Sequence, residues 1–177
     1  MKNYITYIII ALAIFMCSKS KAQTQMGYVT GFTKQGINPA AVQPIYGITL
    51  QKQLIKYVAL ESDVIYSQRM NGHNIQADYL QFMIMGKFGY FGNKAGIYGG
   101  YGFSLNPTLD HSNPENHTYV SFIPSIGCQL NLFPKTIVEL KSIYDIGLMS
   151  GYYIPGTGWG DSYKGLMMMA TLKFNIK

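Results

Sequence analysis

Residues 57–70 read YVALESDVIYSQRM, and they pose the question that decides the fold. Alternate positions fall into two sets. Val58, Leu60, Val64 and Tyr66, with Ser62, form one face; Ala59, Glu61, Asp63, Ile65, Ser67 and Arg69 form the other. Period two is the mark of a strand. Two acids two residues apart on one face of so apolar a run call for a polar surround on that side. The reading that meets both demands puts the apolar face against lipid and the acidic face in the lumen of a small barrel.

The same alternation recurs along the chain. Strands are expected at about 26–33, 42–51, 57–69, 77–91, 95–105, 118–132, 136–148 and 164–176. Leu80, Phe82, Ile84, Phe88 and Tyr90 oppose Tyr79, Gln81, Met83, Met85, Lys87 and Gly89. Val120, Phe122, Ile126, Cys128, Leu130 and Leu132 oppose Ser121, Ser125, Gly127, Gln129 and Asn131. Val138, Leu140, Tyr144 and Ile146 oppose Glu139, Lys141 and Asp145, and Met168, Ala170, Leu172, Phe174 and Ile176 oppose Thr171, Lys173 and Asn175. Several of these runs exceed the roughly 9–11 residues that a tilted transmembrane strand needs.

The connections alternate as well. Those at 34–41, 70–76, 106–117 and 149–163 are long, and those at 52–56, 92–94 and 133–135 are short. In an antiparallel meander alternate connections lie at opposite ends, so all long loops share one end and all tight turns the other. That is the layout of an outer-membrane barrel. Tyr57, Tyr66, Tyr90, Phe91, Tyr101, Phe103, Phe133 and Tyr144 stand near strand ends, where interfacial aromatic girdles are expected. The expected fold class is all-β: an eight-stranded antiparallel up-and-down transmembrane β-barrel.

Residues 1–22 read as a cleaved secretory signal peptide: Lys2, a short apolar run from Ile5 to Met16, then a polar segment with Ser20 and Ala22 ahead of Gln23. The barrel domain then spans 23–177. Met16, directly before Cys17, is too large for a usual lipidation site. The leader carries Lys2, Lys19 and Lys21 and no acid, so removing these three cations takes the formal charge from +6 to +3. No clustered basic stripe remains, and nucleic acid is not an expected partner. Cys128 is the one cysteine left, which excludes an intrachain disulfide.

The inward charges Glu61, Asp63, Lys87, Glu139, Lys141, Asp145 and Lys173 are expected to pair with one another. Antiparallel pairing across 70–76 brings Glu61 toward Lys87, and pairing across 149–163 brings Glu139 toward Lys173. Eight strands leave no aqueous channel once side chains fill the interior, so the lumen is expected to be plugged by polar side chains. A proton or ion path through the same charges is the competing use of them.

Little points to chemistry. His73, His111 and His117 all fall in long connections. The stretch LDHSNPENHT offers Asp110, His111, Ser112, Glu115 and His117, yet a Ser-His-acid system needs base and nucleophile held rigidly, which neighbours in one Asn/Pro-rich loop do not achieve. His111 and His117 lack a third metal ligand at a suitable spacing. Trp159, among glycines in YYIPGTGWGDSY, suits a membrane-interface anchor or a binding loop. The glycines of GYFGNKAGIYGGYGF sit in strands and form no phosphate loop. No catalytic residue, metal or cofactor is expected.

The stretches LESDVIYSQR, DYLQFMIMGKFGYF and GIYGGYGFSL, with IYDIGLMSG near the end, resemble the PorT-like outer-membrane β-barrel proteins of the Bacteroidota. The departures are Gln81 for the family's glutamate, Met83 for its proline, and an end at KFNIK without a final aromatic residue. The resemblance implies an eight-stranded barrel in the outer membrane and no defined activity. The expected partners are outer-membrane lipid, the barrel-assembly machinery during biogenesis, and a protein or glycan at the outer loops, with the chain a monomer. The alternatives are an outer-membrane lipid-modifying enzyme, or a secreted soluble barrel holding a small apolar ligand, which would reverse the two faces.

Overall fold

The computed structural model describes residues 23–35, 42–70, 76–109, 118–150 and 164–176. The strands are β1 (Thr24–Gln35), β2 (Val42–Ile55), β3 (Val58–Met70), β4 (Gln76–Phe91), β5 (Ala95–Asn106), β6 (Tyr119–Phe122), β7 (Ser125–Phe133), β8 (Thr136–Ser150) and β9 (Lys164–Ile176). All pairings among the described strands are antiparallel: each strand pairs with its chain neighbour, except that β6 and β7 lie end to end and both pair with β5 and β8, and β1 also pairs with β9 from Thr24↔Ile176 to Gln35↔Gly165. That last pairing closes the sheet, so no edge remains among the described strands.

The ring has eight staves, because β6 and β7 together form the sixth. The single strand expected over 118–132 is interrupted at Ile123–Pro124. Proline has no N–H to give to a ladder. Pairing nevertheless continues on both sides: Ile123 N donates to Gly102 O at 3.0 Å and Tyr144 N donates to Pro124 O at 3.0 Å. A register shift beside it, with Val120 facing Met149 and Ser121 facing Gly147, leaves one extra residue in β8. The first tight turn is shorter than expected, since β2 runs on to Ile55.

The two faces separate as the alternation requires. The outer wall exposes Tyr28, Ile48, Ile84, Phe88, Ile97, Phe103, Ile126, Leu130, Leu140, Met168 and Leu172. A soluble barrel would not leave such a belt in water; against acyl chains it meets no penalty. The full-length strands run 12–16 residues, long enough to cross tilted. The inner face curls tightly. At Gly102 an added Cβ would lie 2.0 Å from Ile84 O on β4, so only glycine lets β5 approach that closely.

The interior corrects one expectation. It is not polar throughout. Val29, Ile45, Ile65, Met83, Met85, Ile123, Ile143, Met167 and Met169 point inward and form one buried apolar cluster. An interior this narrow is packed, and methionines fill its irregular gaps. Phe91, expected in a girdle, also points inward, stacked on Tyr98 with ring centroids 6.0 Å apart. Tyr57, Tyr90, Tyr101, Phe103, Phe133 and Tyr144 do face outward.

Candidate functional site

Six of the seven inward charges expected from the sequence meet in one layer of the lumen. The register sets Glu61 opposite Met85 on β4 and Lys87 opposite Ala59 on β3, so Glu61 and Lys87 are diagonal neighbours, within reach of a long side chain. Lys87 Nζ donates to Glu61 Oε2 at 2.5 Å and reaches both oxygens of Glu139 at 2.9 Å. Lys173 Nζ, from β9, donates to Glu61 Oε2 at 2.5 Å and Glu139 Oε2 at 2.6 Å. Lys141 Nζ, from β8, crosses the lumen to Glu61 Oε1 at 2.6 Å and Asp63 Oδ2 at 2.5 Å.

Three ammonium groups therefore face three carboxylates, and the cluster is neutral. All six side chains are fully buried. Glu61 is its hub, with all three lysines on one carboxylate. Charges this deep persist only when paired and hydrogen-bonded on every side. Asp145 stands apart from the six: it is buried, and its Oδ2 accepts from Gln81 Nε2 at 3.4 Å.

Two further residues belong to the layer and were not read from the sequence. Gln51 Oε1 accepts from Lys87 Nζ at 3.0 Å and from Lys173 Nζ at 2.6 Å. Its place follows from Ile45, Gly47, Thr49 and Gln51 alternating inward along β2. Tyr98 lies under Lys87, with Nζ 4.3 Å from the ring centroid, a cation–π contact shielded from water. The signal for Tyr98 was its isolation: Gly96, Gly100 and Gly102 flank it on the inner face of β5. Across the lumen wall Gly127 makes room for that ring, since a Cβ there would lie 2.3 Å from Tyr98 Oη.

Every ammonium in the layer is taken up by carboxylate and amide oxygens. Among the described residues no group of three or more His, Cys, Asp or Glu could hold a metal. His73, Asp110, His111, Ser112, Glu115, His117 and Trp159 lie outside the described residues. Cys128 is exposed on the outer wall.

No protein-family model matches the chain, and no curated protein matches it in sequence. Solved structures do share its shape. Neisserial surface protein A superposes with a TM-score of 0.64 at 10% identity, covering 89% of this chain and 98% of that one. The N-terminal β-barrel domain of Pseudomonas aeruginosa OprF gives 0.56 at 12% identity, covering 88% and 100%. Ail, the attachment invasion locus protein of Yersinia pestis, solved with the heparin analogue sucrose octasulfate, gives 0.54 at 13% identity, covering 88% and 97%. At such identities the likeness is one of fold, and the fold is that of the eight-stranded outer-membrane β-barrels.

Proposed function

We propose that the chain is a non-catalytic outer-membrane protein, exported by its N-terminal leader. Its barrel is sealed against solute flow, and its role is structural or interactive, with the long connections meeting a protein or glycan outside the cell. The observation that supports this most is the neutral six-charge layer, which joins four strands across the lumen of a barrel with an apolar outer wall. A conducting pore would expose such charges to water. The placement among PorT-like barrels rests on the strand patterns LESDVIYSQR and GIYGGYGFSL alone. Catalysis is left out of the reading because the buried charges are consumed in pairing.

Planar-bilayer recording tests it. The refolded protein should produce no discrete current steps in 1 M KCl over voltages that open large porins. Steady ohmic steps that disappear on Lys141→Met would mean that the charges line a path, and the sealed reading would fall.

A further inference from the structure

Below the charged layer, at the end of the tight turns, the lumen widens into a half-open cavity of about 1040 Å³. Gln25, Gln129, Asn131 and Asn175 line it, Lys56 and Lys94 stand at its rim, and Tyr90 and Phe133 flank it. No carboxylate is among its lining residues that the structure describes. Lys135 in the third tight turn adds a cation at the same end.

The wall is rich in acceptors that nothing in the fold uses. Gln25 and Gln129 are 2% and 4% exposed, yet the side-chain oxygens of both, and of Asn131 and Asn175, receive no hydrogen bond. The two asparagine amides cannot simply be turned over. Asn131 Nδ2 donates to Gly92 O at 3.2 Å and Asn93 O at 2.7 Å, and Asn175 Nδ2 donates to Pro134 O at 3.3 Å. Those carbonyls require a donor, so each Oδ1 is left as an acceptor. Acceptors without a protein donor are served by water or by the donors of a ligand that displaces it.

We propose that this vestibule binds an anionic saccharide. Sugar hydroxyls donate to the four amide oxygens, and carboxylate groups on the sugar meet Lys56 and Lys94 in charge-assisted hydrogen bonds. A peptide suits the site less well. Strand addition, one common way of holding an extended peptide, needs a free strand edge, and the described strands close into a ring that offers none. The proposal depends on the outer-membrane reading only for the compartment that supplies the ligand, which is then the periplasm.

The test is calorimetric titration of the refolded full chain, in a detergent without a sugar headgroup, with trigalacturonate, maltotriose and triglutamate. Heat-modifiable mobility verifies that each variant is folded. Trigalacturonate should bind saturably, and at least about tenfold more weakly to Lys56→Gln/Lys94→Gln and to Gln129→Leu. Lys56 and Lys94 are exposed, so that pair of changes leaves folding intact even where Gln129→Leu does not; Gln25→Leu then replaces it. Maltotriose should bind at least about tenfold more weakly than trigalacturonate. The proposal is overturned by no saturable binding up to about 10 mM. It is equally overturned by binding that neither the rim nor the wall variants weaken, or by triglutamate binding as tightly, which would reassign the site to acidic peptides.

Discussion

Two layers of one lumen are built on opposite terms. In the layer of Glu61, Lys87, Lys141 and Lys173, polar atoms meet at 2.5–3.0 Å and each side chain has named partners. Toward the long connections, on the same strands, come Ile65 four residues beyond Glu61, Met83 four before Lys87, Ile143 two beyond Lys141 and Met169 four before Lys173. Here contacts are non-directional, and all four positions of the cluster on β4 and β9 (Met83, Met85, Met167 and Met169) are methionine. The charged layer is specified by geometry and fails when one partner is lost. The apolar layer is specified by volume and tolerates exchange. A small barrel needs both: one to fix which strands face each other, the other to fill space without water.

The comparison can be broken at the hub first. Glu61→Ala leaves three buried ammonium groups sharing two carboxylates and should cost about 3–5 kcal/mol, read as urea unfolding of the refolded protein in detergent micelles. A loss under about 1 kcal/mol would show that water or relaxation compensates and that the layer is not tightly closed. Next is Ile65→Ala in the apolar layer, which should cost about 2–5 kcal/mol by the same measurement, through a cavity rather than a stranded charge. A double-mutant cycle of Asp63→Asn and Lys141→Met should then give a coupling of about 0.5–3 kcal/mol; additive effects would dissolve the cross-lumen contact. The smallest effect sharpens the contrast: Met83→Leu should cost less than about 1.5 kcal/mol, because it conserves volume.

Which of this was legible in the sequence follows from what alternation reports. The strands, the sorting of long and short connections, and the inward direction of Glu61, Asp63, Lys87, Glu139, Lys141, Asp145 and Lys173 all follow from period two and chain order. Partner choice across the lumen does not. Lys141 meets Glu61 from 80 residues away, a pairing set by barrel closure rather than by neighbouring strands. Ile65, Met83 and Met85 were visible on the charged face, but a face-by-face reading weighs the charges and passes over the apolar residues between them. Tyr98 and Gln51 were missed because the glycine-rich β5 carries no charge to draw attention and the one charge of β2, Lys52, was assigned to the turn that follows it. The break at Pro124 was written in the sequence as a residue without an N–H, within a run whose alternation continues unbroken on either side.

The central claim is a closed barrel with its apolar wall in lipid. The most direct measurement is cell fractionation followed by gel mobility of the outer-membrane pellet with and without boiling. The protein should sediment with the outer membrane and run faster unboiled than boiled, as a closed transmembrane barrel does. Recovery in the soluble fraction, with a single mobility, would contradict the account.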